Sequence, residues 1–153
     1  MDYSIGEVSK MTGLSPSTLR FYDKEGLLPG LGRQGGKRVF DDDHVRSLRV
    51  IECLKSSGLE IRDIRKFMEL TTKGSASYAQ RKTLMEKQRA KTLEQIDEMQ
   101  QTLAVLEYKC WYYDEALSRG NEDFATDAPA NLPARGRELY KRAFPRDGEE
   151  GAR

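Results

Sequence analysis

Soft-metal and disulfide chemistry is nearly absent from this sequence. Its two cysteines, Cys53 and Cys110, stand far apart with no CxxC pairing, and His44 is the one histidine. A closed four-ligand zinc site within one chain therefore lacks ligands, and no metal site or disulfide framework is expected. Long apolar runs are missing too. No window approaches the roughly eighteen apolar residues of a spanning helix, and the opening MDYSIGEV has neither the basic start nor the apolar run of a secretory signal. A cytoplasmic protein with no membrane partner is expected. Charge of one sign is not in excess either: 26 Lys and Arg meet 25 Asp and Glu, a net charge of +1 that by itself says nothing for nucleic acid. At 153 residues the chain is too short for a TIM barrel or a multidomain enzyme. No carboxylate pair, nucleophile with base or metal cluster is discernible, so neither an enzyme nor a cofactor is expected.

What is present is charge and helical punctuation. Charged residues make up 33% of the chain against 37% hydrophobic, a ratio that favours long solvated helices. Ser4 with Glu7 three residues later forms a capping box for a first helix, on which Ile5, Val8 and Met11 follow at helical spacing until Gly13. Ser15 caps a second helix with Pro16 at its first position, and Gly26 stops it. Of its apolar residues, Phe21 is assigned to the core. Residues 27–40, LLPGLGRQGGKRVF, read as two short strands around a glycine-rich hairpin. Asp41 to Asp43 open a third helix that buries Val45, Leu48, Ile51 and Leu54, with Cys53 expected buried beside them. A fourth helix from about Glu60 to Leu70 buries Ile61, Ile64, Phe67 and Met68, and residues 72–77 read as a linker.

Residues 78–119 contain no proline or glycine, and a helix of that length spans roughly 63 Å. Its second half places Ile96, Met99, Leu103, Leu106, Cys110, Tyr113 and Leu117 at alternating spacings of three and four, an a/d seam whose obvious partner is a second copy of the chain. The first half is less regular and is expected to pack on something other than a continuous seam. Residues 120–153 carry Pro129, Pro133 and Pro145 among scattered charges, and are expected to be a mostly flexible tail with one short helix at 135–144.

Local charge points to DNA where net charge does not. Between Ser15 and Phe40 the basic residues are Arg20, Lys24, Arg33, Lys37 and Arg38, against the acids Asp23 and Glu25. A helix, a tight turn, a second helix and a basic hairpin suit a duplex: Ser15, Ser17 and Thr18 can face base edges while Arg20 and Tyr22 reach phosphates. Arg33, Lys37 and Arg38 can straddle a neighbouring phosphate track. Arg20 could instead pair with Asp23 on its own helix, at i,i+3 spacing.

The run Thr18-Leu19-Arg20-Phe21-Tyr22-Asp23, the following LLP, and Gly36-Lys37-Arg38-Val39-Phe40 resemble the DNA-binding domain of the MerR family of bacterial transcription regulators. The resemblance covers about residues 3–70, with the long helix matching the family's dimerisation coil. It implies a mostly α fold: a winged helix-turn-helix domain over 1–71, then a long dimerisation helix in an antiparallel coiled coil over 78–119. It further implies a homodimer on a palindromic promoter, acting with RNA polymerase by bending and untwisting an overlong spacer. Phe40 departs from the frequent Tyr, which removes a hydroxyl from that position. Family members often respond to effectors at the C-terminal end of the coil, which makes Trp111, Tyr112, Asp114 and Glu115 candidates for holding a small-molecule effector such as a lipophilic cation. Packing of Trp111 and Tyr112 on the partner's helices is the plainer alternative. Cys110 lies in the seam, where a free thiol behaves as a small hydrophobe, and no cysteine loop of the metal-sensing kind follows Arg119. An architectural or repressing protein of excisionase type shares the small winged domain but does not account for the long helix. A coiled-coil scaffold leaves residues 1–70 without purpose.

Overall fold

The computed structural model describes residues 1–148 and places six α-helices, a two-stranded hairpin and three 3₁₀ turns in chain order. Two compact units result, Met1–Ala90 and the residues from Lys91 onward. No helix of the described residues is long and apolar enough to cross a membrane.

In the first unit, α1 (Ile5–Thr12) begins on the Ser4–Glu7 capping box and ends at Gly13 in the left-handed region, φ 75°. Then α2 (Pro16–Lys24) starts on Ser15, whose side chain accepts from the Thr18 N–H. Strands β1 (Gly32–Gln34) and β2 (Lys37–Val39) pair antiparallel with Arg33 opposite Arg38. Gly35 and Gly36 both have positive φ between them, as a two-residue turn of the hairpin-matching hand requires. Tyr3 closes the base of this wing by exchanging backbone bonds with Phe40. Helices α3 (Asp42–Ser56) and α4 (Ile61–Thr71) complete the unit. Val8, Leu19, Phe40, Leu48, Ile51 and Ile64 form the centre of one core, with the expected Val45, Leu54 and Met68 buried beside them and Ile61 and Phe67 packed at its margin.

Two assignments are corrected by helix geometry. Phe21 is 45% exposed and Tyr22 is buried: with Leu19 facing the core, a residue two positions on turns about 200° away, while one three positions on returns to the same face. Cys53 is exposed for the same reason, being two residues past the buried Ile51. The linker is a 3₁₀ turn (Gly74–Ser77) in which buried Ser77 donates to Leu70 O at 2.7 Å.

The long helix α5 (Tyr78–Arg119) has the expected bounds. Its first turns belong to the first unit, where Leu84 is buried, Met85 joins the core and Gln88 donates to Ser57 O at 3.0 Å. In the second unit the tail departs from the flexible segment expected of its composition. A 3₁₀ turn (Asp123–Ala125), α6 (Ala134–Ala143) and a final 3₁₀ turn (Pro145–Gly148) fold back on α5. Tyr108, Phe124, Leu132, Leu139 and Ala143 make a second small core. Four apolar side chains of the tail, spread over about twenty residues, escape a composition argument, yet they suffice once an aromatic face of α5 is there to receive them.

Candidate nucleic-acid interface

The amino end of α2 presents Ser15 and Ser17 exposed and Thr18 half-buried. Ser15 is the N-cap, and its hydroxyl lies 2.9 Å from those of both Ser17 and Thr18, so the three form one hydrogen-bonded cluster. No acid stands in the first turn, which leaves the positive end of the helix dipole uncompensated. Arg20 is exposed and has no ion-pair or hydrogen-bond partner among the described residues. The Arg20–Asp23 pair allowed by spacing does not form. Asp23 instead receives Arg38 Nε at 2.6 Å and Arg33 Nη2 at 3.3 Å. One carboxylate on α2 thus holds both arginines that face each other across the wing, while Lys37 at the wing tip stays exposed and unpaired among the described residues.

Tyr22 does not offer its hydroxyl to the surface. The ring is 1% exposed and the O–H donates to Glu52 Oε1 at 2.5 Å, with Lys55 Nζ 3.4 Å away. Burial, and then the Glu52 carboxylate, push this phenol well above its ordinary range. Tyr22 ties α2 to α3, and the phosphate contact expected of it is not available in this conformation. Asp41 caps α3 and His44 completes its capping box: Asp41 accepts from the His44 N–H at 2.9 Å while His44 Nδ1 accepts from the Asp41 N–H at 3.2 Å.

In the second unit the seven seam residues lie along one exposed face of α5. Met99 and Leu117 are 73% and 82% exposed, and Ile96, Leu103, Leu106 and Tyr113 are about half exposed. Cys110 is exposed among them. The aromatic end of α5 is covered by the chain's own tail rather than left for a partner's helices. Trp111 meets Phe124 edge-on at 5.8 Å, Tyr112 packs on Phe124 at 5.2 Å, and the Tyr112 hydroxyl donates to Glu122 at 2.8 Å. Glu115 pairs with Arg119 at 2.8 Å, and Asp114 points into solvent. Trp111 and Tyr112 thus share Phe124, Glu115 is engaged by Arg119, and Asp114 stands apart in solvent.

Comparison with known proteins decides the ancestry of this arrangement. Residues 3–71 match the family described as MerR HTH family regulatory protein, and residues 45–108 match the one described as MerR, DNA binding. An uncharacterized HTH-type transcriptional regulator of Haemophilus influenzae is 39% identical over 122 residues, 79% of this chain and 90% of its own length. The chain belongs to the MerR family. Among solved MerR structures, that of HiNmlR, a regulator lacking the sensor domain and bound to promoter DNA, is similar with a TM-score of 0.57 and 38% identity; it aligns over all of its own chain and 82% of this one. A MerR family regulator from Bacillus thuringiensis aligns with a TM-score of 0.56 and 36% identity, over 97% of its length and 72% of this chain. The two family models take in α2, the wing and the first part of the seam, and end at Tyr108. Sequence reasoning missed the hold of Asp23 on the wing arginines, and it missed Gly136, which packs directly against the Trp111 ring. Asp23 could have been found from its place one turn after Arg20 beside a two-arginine hairpin. Gly136 carried no signal, because its role is to admit a ring from another helix.

Proposed function

We propose that this chain is a cytoplasmic, homodimeric transcription activator that reads a palindromic promoter with α2 and the wing and, with RNA polymerase, acts by bending and untwisting an overlong spacer. The observation that carries the reading is the hold of Asp23 on Arg33 and Arg38. It makes α2 and the wing one basic body, with Arg20 one turn away on the same helix face and unpaired. Such a body can set Ser17 and Thr18 against base edges while Arg20, Lys37 and the wing arginines meet the backbone. The promoter-bound state of the similar HiNmlR supports the same partner. Homodimerisation is supported by the exposed a/d stripe from Ile96 to Leu117, which a single chain leaves in water.

A dimer holding two winged units at a fixed spacing fits a longer spacer only by deforming it, at a cost on the order of 1–6 kcal/mol for smooth bending. Phosphate contacts from both copies offset that cost. A reporter series differing only in spacer length tests this. Removing one or two base pairs should raise basal transcription and make the protein dispensable or repressing. Activation indifferent to spacing overturns the distortion mechanism in favour of polymerase recruitment.

A further inference from the structure

The second unit holds a cleft of about 570 Å³ that lies beyond the two family models, which end at Tyr108. One face of α6 forms its floor and the Pro129–Ala130 segment its opposite wall. We propose that this cleft binds a small aromatic carboxylate as a regulatory ligand. The assignment deepens the regulator reading and rests on it for any effect on transcription, but not for the binding itself.

The floor is apolar and aromatic. Tyr140 on α6 and Phe144 at its C-cap pack with ring centroids 4.8 Å apart, tilted by 46°, and Pro129 and Pro145 line the same cleft. Its volume lies within the range of small-molecule sites. The rim is built for a negative charge. Arg137 and Lys141 are four residues apart and line the same cleft. Lys141 has no ion pair or hydrogen bond among the described residues. Arg137 commits only Nη1, to Leu132 O at 2.9 Å, so Nε and Nη2 remain to donate. The cleft's one acid, Asp147, already accepts from the Tyr140 hydroxyl at 2.8 Å. Two cations against one carboxylate leave the cleft a net charge of +1, and it stands beside apolar surface. On the other side of Phe144 and Pro145 a second cleft of about 560 Å³ is lined by Asp97 and Glu98 with Arg146, a predominantly acidic surface.

The floor is also wired to the seam helix. Gln101 Nε2 donates to Ala143 O at 2.5 Å, and Arg142 Nη2 lies 3.3 Å from Glu107 Oε2. Gln101 and Glu107 belong to α5 within the stretch that carries Leu103 and Leu106. A ligand that steadies α6 thus steadies the helix carrying the dimer stripe, which gives binding a route to the spacing of two copies.

Calorimetry on the full chain with 1-naphthylacetate, and with the isosteric neutral 1-naphthylacetamide, tests the assignment. The acid should bind with one site per chain, and the amide about tenfold or more weaker. Lys141→Glu should weaken the acid by about tenfold, roughly one charge-assisted contact, whereas Glu98→Gln in the neighbouring cleft should leave it unchanged. Unaltered Trp111 emission shows that the variants keep the aromatic core. No heat with either compound, equal affinity for both, or an acid affinity indifferent to Lys141→Glu overturns the site. A mobility shift of the promoter duplex on the same preparation is read separately. Protein that shifts DNA but ignores naphthylacetate loses the cleft and keeps the regulator reading, and the converse result loses the regulator reading alone.

Discussion

Arg20, Arg33 and Arg38 differ in how freely each can meet a phosphate, and Asp23 sets the difference. Arg38 is held at 2.6 Å and half-buried, Arg33 is held at 3.3 Å, and Arg20 is unpaired. Arg20→Ala should therefore weaken binding across all sequences and lower the salt dependence of log K by about one unit, as loss of one phosphate contact does. Arg38→Ala should do the same and also loosen the wing from α2. Anisotropy titrations over a salt series measure both, and an unchanged slope for Arg20→Ala removes its phosphate role. A second residue prediction concerns Gly136. Ala in a helix interior ordinarily stabilises by roughly 1 kcal/mol over Gly, but a Cβ at this position would lie 2.5 and 2.7 Å from Trp111 Cζ3 and Cζ2. Overpacking should win, with Gly136→Ala costing about 1–3 kcal/mol. Thermal unfolding followed by Trp111 emission gives the sign.

At the scale of elements, two helix starts respond to acid. Hydrogen bonds from the Ser4 backbone and hydroxyl hold the Glu7 carboxyl below its usual range, and the His44 backbone N–H does the same for Asp41. A carboxyl with a lowered folded value contributes stability that is present above its unfolded value and lost as pH falls through the folded one. Melting temperature by circular dichroism should therefore decline once pH drops below about 4, and Glu7→Gln should flatten part of that decline. A decline as steep in the variant as in the parent would remove Glu7 from the account. Tyr22 acts at the other limit, where its raised value keeps stability intact below the ordinary phenol range and loses it as pH climbs beyond.

For the whole molecule, the proposed homodimer rests on the exposed stripe on α5. Each copy brings Leu103 to the seam, so Leu103→Asp places two carboxylates in an apolar contact and should leave a monomer by sedimentation. The same substitution should weaken promoter binding by about a hundredfold or more, because the second half-site is then no longer tethered. A variant that remained a tight dimer would place the interface on another face of α5. The tail lies on such a face: Tyr108 is two residues from Leu106 and from Cys110, so the helix turns it away from the stripe and toward α6. Unit two can keep its own aromatic core while a second copy occupies the stripe.

The caps on Ser4 and Ser15, the Gly35–Gly36 turn, the bounds of α5 and the a/d stripe were all legible in the sequence, because each depends on neighbours within one or two turns. The two motifs carrying the family likeness are local as well. Where reading failed, the outcome depended on a partner distant in sequence. Helix phase already turns Tyr22 rather than Phe21 to the core, but its hydroxyl is held inside rather than offered to DNA because Glu52 of α3 accepts it. Arg20 was left unpaired because Arg33 and Arg38, brought across by the hairpin, took Asp23. The tail folded because Tyr108, Trp111 and Tyr112 offered one apolar face to Phe124, Leu132 and Leu139. Composition counts residues and local pattern orders them along one helix or turn. Only the tertiary structure decided which of these side chains met, since burial and ion pairing are settled by what stands opposite in space.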